Sequence, residues 1–209
     1  MNTCYIFGAA PIDDYRFIHL ELDDSDAVIC ADGGYHHALA CGLQPDWVVG
    51  DFDSESAEVL LPNTIRVKPE KDDTDMELAV AQGISLRYRT FVLYGALGGR
   101  LDHTVANLQL LASLTERGIQ ATLLDAQNEV TMLQNGTRTL TPNEYPYVSI
   151  FSHSSQSEGV TLTGFRYPLT EKTLYNTTGG LTVSNELAAP TASITVRRGM
   201  LLILRTKDR

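Results

Sequence analysis

Short apolar runs alternate with longer amphipathic segments from residue 3 to about residue 125. Six runs are short and rich in β-branched and aromatic residues, as strands are: TCYIFGA, DAVICADGG, PDWVVGD, TIRVKP, TFVLYGALGG and QATLLD. Two segments carry the clearest helical period, TDMELAVAQGISLRY and DHTVANLQLLASLTERG. Strands that alternate with helices predict an α/β domain with a largely parallel sheet.

The ends of the two predicted helices carry local capping signals. Thr74 and Glu77 have the spacing of a capping box, which places the start of the first helix at residue 74. The second helix follows a Gly-Gly turn and takes Asp102 as its predicted N-cap. Gly118 predicts its end, because glycine readily adopts the left-handed conformation that terminates helices.

The pattern changes after about residue 136. Short runs rich in Thr, Ser, Val and Tyr are separated by Pro, Gly and Asn: PYVSIFS, EGVTLTGFRY, GGLTVSNEL, ASITVRRG and MLLILRT. Without a helical period, these runs predict a small antiparallel β-sandwich. We therefore expect an α/β domain over residues 1–130 and a β domain over residues 136–209. A β domain of this size is near the lower limit for an independent fold, so docking or dimerisation is expected to stabilise it.

Charge and cysteine content restrict the classes of function that fit this chain. The 209 residues include 26 acidic and 16 basic side chains, a net charge of -10 that should repel nucleic acids and anionic membranes. A small phosphorylated ligand remains compatible if metal ions invert the charge of its site. Three cysteines without a CxxC pair argue against a disulfide framework or a structural zinc site. The N-terminus reads as a first strand rather than a signal peptide, so a cytoplasmic protein is expected.

Acidic residues follow three successive predicted strands. Asp32 closes the second strand, Asp51 and Asp53 follow the third, and Asp75 lies between the fourth strand and a helix. If these strands are neighbours in a parallel sheet, the carboxylates meet at one edge and predict a Mg²⁺ site. A single Asp at a strand end is more often a turn or cap residue. The clustering favours metal binding by at least two of Asp51, Asp53 and Asp75.

The segment GALGGRLDHTVANL, residues 95–108, leads from a glycine turn into a helix N-terminus, which favours bound phosphate. Arg100 adds a guanidinium, and His103 and Asn107 share one helix face. The glycines do not fit a P-loop, and a lone histidine at a helix start is more often structural. Lys68 precedes KDDTD and Lys71 is its first residue, and both fit a phosphate contact and an ion pair with the aspartates equally well.

The order of ADGG, PDWVVGDFDS, KDDTDMELA and LGGRLDH with ANL resembles the thiamine pyrophosphokinase family. The later GFRYPL, GGLTVSNEL and ASITVRRGMLLIL look like the thiamine-binding β domain of that family, so the resemblance spans nearly the whole chain. It implies transfer of the pyrophosphoryl group from ATP to the hydroxyethyl oxygen of thiamine, giving thiamine diphosphate and AMP. It also implies a homodimer whose thiamine site lies between the β domain of one subunit and the α/β domain of the other.

The resemblance further implies roles for individual residues. The expected catalytic residues and Mg²⁺ ligands are Asp51, Asp53 and Asp75. The expected nucleotide-binding residues are Asp32, Lys71, Arg100, Asp102, His103 and Asn107. Ser184 and Asn185 match the stretch that meets the thiamine pyrimidine.

Some relatives stack thiamine on a tryptophan of the β domain, whereas the only tryptophan here is Trp47, beside GDFDS. Tyr167, Phe165 or another ring must then serve if stacking occurs. Two other functions compete with the kinase: a Mg²⁺-dependent phosphohydrolase with an Asp nucleophile in DFDSES, and a sensor that binds without turnover. The all-β C-terminal region argues against the first, and the retained acidic positions argue against the second.

Overall fold

The computed structural model describes residues 2–50, 63–66 and 73–209. The chain forms two compact units, Met1–Ala126 and Gln127–Arg209. Asp51, Asp53, Lys68 and Lys71 lie outside the described residues, so their predicted roles stay predictions.

The first unit is built on a parallel sheet. Its strands are β1 (Thr3–Phe7), β2 (Ala27–Ala31), β3 (Trp47–Gly50), β4 (Thr64–Arg66), β5 (Thr90–Tyr94) and β6 (Gln120–Leu124). They lie in the order β6-β5-β1-β2-β3-β4, and every pairing is parallel. All six predicted strands are confirmed. After β1 the chain adds β2, β3 and β4 on one side of β1, and it then adds β5 and β6 on the other side. The strand order therefore reverses between β1 and β5.

Among the described residues, the first unit contains three α-helices: α1 (Tyr35–Ala40), α2 (Asp75–Ser85) and α3 (Leu101–Glu116). The predicted capping box of α2 is confirmed. The Glu77 N–H donates to Thr74 Oγ1 at 3.2 Å, and the Thr74 N–H donates to the Glu77 carboxylate at 2.7 Å.

The predicted N-cap of α3 is wrong. Arg100 has the extended backbone of the N-cap position, and Asp102 already lies in the first helical turn. The Asp102 carboxylate accepts the N–H of His103 at 2.9 Å there. The sequence signal is ambiguous because the positive end of the helix dipole favours a carboxylate in the first turn as well as at the cap.

The core of the first unit lies along the central strands. Phe7, Val28, Cys30, Val48 and Tyr94 pack in one buried cluster, and the rings of Phe7 and Tyr94 stack with centroids 5.1 Å apart. Cys4 and Cys30 are buried, as their apolar surroundings predict. Burial raises the pKa of both thiols to about 12.

The second unit consists of antiparallel strands, which confirms the predicted β fold of this region. The strands are β7 (Asn128–Leu140), β8 (Tyr147–Ser152), β9 (Gln156–Thr163), β10 (Leu169–Tyr175), β11 (Asn185–Glu186) and β12 (Ala192–Thr206).

The strand β12 joins the halves of the second unit. It pairs with β7 along its length, with β9 through its first half and with β8 through its second half. ASITVRRG and MLLILRT, which the sequence suggests as two runs, are therefore one strand. The register shifts between Val196 and Met200, and Gly199 between them has a φ of +117°. The shift lets the two halves of β12 pair with different strands. Inward-facing Ile194, Leu201 and Ile203 are fully buried in the core of this unit.

Candidate active site

A cavity of about 460 Å³ lies at the carboxyl ends of β1, β2 and β5. Its walls are the segments that follow these strands together with the starts of α2 and α3. β1 and β5 are the strands between which the strand order reverses. This position is the switch point of the sheet. Open parallel sheets bind their ligands in the crevice there, because the connecting segments diverge to opposite faces of the sheet.

The segments that follow β1 and β5 touch through their backbones. The Gly8 N–H donates to the Tyr94 carbonyl at 2.8 Å, and the Ala10 N–H donates to the Gly95 carbonyl at 3.1 Å. Gly95 has a φ of +59°, and a Cβ at this position would lie 2.2 Å from the Gly8 carbonyl oxygen. Only glycine permits both this conformation and this approach, so the wall of the cavity depends on Gly95.

Five of the predicted site residues line the cavity, although they come from separate elements. They are Asp32, Asp75, Arg100, His103 and Asn107. Asp102 is not among the lining residues. Ser184 and Asn185 belong to the second unit.

Asp32 follows β2 and opens a short 3₁₀ turn, where it has a φ of +47°. β2 and β3 are neighbours, as the predicted acidic edge requires. Gly50, the residue before Asp51 in the sequence, lies so close to Asp32 that a Cβ at Gly50 would be 3.0 Å from the Asp32 Cα. β3 therefore ends beside the backbone of Asp32.

Arg100 forms an exposed ion pair with Asp102. Its Nε donates to Oδ1 at 3.2 Å and a terminal nitrogen donates to Oδ2 at 2.5 Å. This hydrogen bonding raises the pKa of Arg100 and lowers the pKa of Asp102. Exposed ion pairs are weak because water screens them, so the guanidinium can exchange this partner for a more highly charged anion.

Asn107 is the buried polar residue of the cavity, with 7% of its surface exposed. Its Nδ2 donates to the Ala96 carbonyl at 2.7 Å and so ties α3 to the segment that follows β5. His103 lies one helical turn before it on the same face of α3. His103 and Asn107 therefore both reach the cavity.

The carboxyl groups of Asp32 and Asp75 suit a hard divalent cation. Both residues line one cavity and come from two elements, and Mg²⁺ in phosphate-binding sites usually takes one or two carboxylates together with substrate oxygens. Within residues 2–50, 63–66 and 73–209 there is no cluster of three or more His, Cys, Asp or Glu side chains that could hold a metal alone. These two donors fit a metal that is shared with a substrate.

Sequence analysis missed one wall of the cavity. Gly8, Ala9, Ala10 and Pro11 line it, as does Met76 at the start of α2. The available signal was the glycine that ends the first strand of an α/β domain. It could not be interpreted without knowing that β5 lies next to β1.

In the second unit, the Asn185 side chain holds a backbone turn. Its Oδ1 accepts the N–H groups of Tyr167 and Glu186, each at 3.0 Å, and its Nδ2 donates to the Tyr167 carbonyl at 2.8 Å. The Ser184 N–H donates to Ser149 Oγ at 3.0 Å. Asn185 thus fixes the backbone of Tyr167.

Of the two rings considered for stacking, Phe165 is buried in the core of the second unit, with 4% of its surface exposed. Tyr167 is 58% exposed. Leu181 and Val183 are also exposed and lie just before Ser184 in the chain. Tyr167 therefore offers an accessible ring in this segment, whereas Phe165 does not.

A parallel α/β unit with acidic residues, an arginine and a glycine turn around its switch-point cavity, followed by an antiparallel β unit, has the features of an enzyme that binds a phosphorylated ligand. Residues 18–123 match the family model described as "Thiamin pyrophosphokinase, catalytic domain", and residues 137–201 match "Thiamin pyrophosphokinase, vitamin B1 binding domain". The chain belongs to the thiamine pyrophosphokinase family.

Individual relatives cover the whole chain. Thiamine pyrophosphokinase of Bacillus subtilis (strain 168) is 31% identical over the full length of both chains. A crystal structure of thiamine pyrophosphokinase from Bacillus subtilis superposes with a TM-score of 0.89 at 28% identity and covers 99% of this chain and 100% of that one. The enzyme from Geobacillus thermodenitrificans gives a TM-score of 0.85 at 31% identity, covering 100% and 98%.

Proposed function

We propose that this protein transfers the pyrophosphoryl group of ATP to thiamine, giving thiamine diphosphate and AMP, and that the cavity at the ends of β1 and β5 holds the ATP polyphosphate. One observation carries the proposal. Asp32, Asp75 and Arg100 line a single switch-point cavity in a chain that matches the family along its length.

The glycine turn before α3 supports a phosphate site. α3 is 16 residues long, and its first N–H groups and positive dipole end follow directly on Gly98 and Gly99, which line the cavity. Arg100 would leave Asp102 and donate to phosphate oxygens, and His103 would orient the same chain of phosphates. Lys71 is proposed to face the phosphate chain, and Asp102 to hold Arg100 ready for it.

We propose that Mg²⁺ is held by Asp51, Asp53 and Asp75, with Asp32 at the same edge. When bound, Mg²⁺ neutralises charge on the phosphates and makes the β-phosphorus a better electrophile. The hydroxyethyl oxygen of thiamine would form a bond to that phosphorus and release its proton to solvent, while the bond from the phosphorus to the α-phosphate oxygen breaks and AMP leaves. The protein chiefly orients the reactants, because a loose transition state for phosphoryl transfer needs no strong base.

For thiamine, we propose contacts with Ser184 and Asn185 and stacking on Tyr167. Leu181 and Val183 expose apolar side chains in this segment. Exposed apolar side chains support an interface with another subunit, consistent with a homodimer that completes the thiamine site. We also propose a cytoplasmic location. Within the described residues, no helix is long and apolar enough to cross a membrane.

The products of one reaction test the proposal. Purified protein is incubated with ATP, Mg²⁺ and thiamine, and the products are identified by mass. AMP with thiamine diphosphate supports the proposal. ADP or free phosphate would instead indicate an ordinary kinase or a hydrolase, and binding without turnover would indicate a sensor.

Substitution of the acidic residues tests the metal assignment. Asp51→Asn, Asp53→Asn and Asp75→Asn should each lower turnover at least ~100-fold with little change in Tm, since each removes charge that balances the metal and phosphates. Asp24→Asn is the matched control, because Asp24 is exposed and precedes β2 at the opposite end of the sheet. Near wild-type activity in all three site variants would refute the assignment.

A further inference from the structure

His37 bridges two elements behind the wall of the cavity. The Tyr15 hydroxyl lies 2.7 Å from His37 Nδ1, and His37 Nε2 lies 3.1 Å from the Ala10 carbonyl oxygen. Tyr15 belongs to a 3₁₀ turn, His37 to α1, and Ala10 to the segment that lines the cavity. The imidazole therefore joins α1 to the cavity wall.

The partners of the ring fix its tautomer. A carbonyl oxygen can only accept, so Nε2 must carry the proton and donate to Ala10. In a neutral imidazole Nδ1 then keeps its lone pair and accepts the Tyr15 O–H. Burial lowers the pKa of His37, which favours this neutral form. The hydrogen bonds thus run in one direction, from Tyr15 through His37 to Ala10.

Ala10 is held on both sides of its peptide unit. Its N–H donates to the Gly95 carbonyl at 3.1 Å, and its carbonyl accepts from His37. Gly95 follows β5 and His37 lies in α1, so the two contacts fix Ala10 between the two flanks of the switch point. Gly8, Ala9 and Pro11 belong to the same segment and also line the cavity.

We propose that His37 is a positioning residue for ATP, which acts through Ala10 by holding the Gly8–Pro11 segment in the shape that the nucleotide meets, with Tyr15 orienting the imidazole. The inference rests on the proposed function, since it takes ATP as the ligand of this cavity. It assigns no contact between His37 and the substrate.

Removing the donor at Nε2 tests this role. His37→Leu should raise the KM for ATP about five- to tenfold, the factor expected from one neutral hydrogen bond, with kcat and the KM for thiamine unchanged. The dissociation constant of α,β-methylene-ATP should rise by the same factor. His37→Gln, whose amide N–H can reach the Ala10 carbonyl, should restore the ATP KM to within about threefold of wild type.

Tyr15→Phe supplies a milder variant that keeps the ring of His37. Its ATP KM should rise less than that of His37→Leu. The double variant should match His37→Leu alone, because Tyr15 acts only through the imidazole. Additive effects of the two substitutions would overturn the directed chain of hydrogen bonds.

Tyr88→Phe is the matched control. The Tyr88 hydroxyl donates to the Ser25 carbonyl at 3.0 Å in the same unit, ahead of the amino end of β2. It should lower Tm without changing the ATP KM. If His37→Leu and Tyr88→Phe both lower Tm and neither changes the ATP KM, His37 is merely structural and the inference fails. A wild-type protein that makes no thiamine diphosphate would refute the proposed function itself.

Discussion

Gly95→Ala is the substitution whose effect follows most directly from the geometry. Gly95 follows β5, has a φ of +59°, and would place a new Cβ 2.2 Å from the Gly8 carbonyl oxygen. An ordinary contact of a Cβ begins near 3.4 Å. The segment after β1 must therefore move by about 1 Å or the new residue must leave the left-handed region.

Two energies add at this position. The left-handed conformation costs an alanine roughly 1–2 kcal/mol, and forcing a methyl group into a packed contact costs typically 1–3 kcal/mol more. We expect Gly95→Ala to lower the free energy of unfolding by roughly 2–5 kcal/mol, a Tm decrease of about 4–20 °C for a chain of this size. Because the displaced segment lines the cavity, kcat/KM for ATP should fall about 10–100-fold.

Gly42→Ala isolates the backbone contribution. Gly42 has a φ of +74° just beyond α1, and a Cβ there would meet no atom within 4 Å. This control should lose only the backbone contribution of roughly 1–2 kcal/mol, or about 2–8 °C, and keep its ATP kinetics. Thermal unfolding and steady-state kinetics of the two variants provide the comparison. Equal decreases in Tm with unchanged kinetics for Gly95→Ala would refute the close backbone contact at the cavity.

Two further predictions concern stability. Thr74→Ala removes the hydroxyl that caps α2 and should lower the free energy of unfolding by about 1 kcal/mol, whereas Thr74→Ser should not; equal effects in denaturant titrations would show that the capping box does not stabilise the helix. The pKa of Cys4 and of Cys30 is raised to about 12 in the folded protein, whereas a thiol in the unfolded chain has a pKa of about 8.5. As pH rises above about 8.5 the unfolded chain therefore loses these protons first. The free energy of unfolding should be unaffected by these thiols below about pH 8.5 and should decline as pH rises towards 12. Urea unfolding at pH 7.5 and pH 10.5 measures the decline, and a Cys4→Ala, Cys30→Ala double variant that declines equally would contradict this explanation.

The polar site residues at strand ends could be predicted from the sequence because the signal that marks them lies within a few neighbouring residues. The polar residues after β2 and before α2 could be placed by the change from an apolar run to Asp and Gly, and the capping box at Thr74 by its spacing alone. Asp32, Asp75 and Arg100 could therefore be predicted as site residues from the sequence pattern, without their spatial neighbours. Metal binding by Asp51 and Asp53 was likewise predicted from their position after an apolar run, and the resemblance to a family added the reaction and its substrates.

The remaining features depend on contacts between distant segments. Asp102 was expected to cap α3, but the backbone of Arg100 takes that position, since the fold sets where the helix starts by the path of the preceding turn. The two C-terminal runs form one strand because β7 pairs with both, across a shift at Gly199. Phe165 and Tyr167, equivalent candidates in sequence, differ because only one faces the core.

The sequence by itself determined the six parallel strands and the two longer helices of the first unit, the antiparallel nature of the second half and the residue types at the ends of the parallel strands. Only the tertiary structure decided that β5 lies against β1, and this placement makes Gly8–Pro11 a wall of the cavity and His37 its support. The reason is physical. Periodicity and capping act within a few residues, whereas strand order is chosen by packing between segments that are more than 80 residues apart in the chain, as Thr3 and Thr90 are.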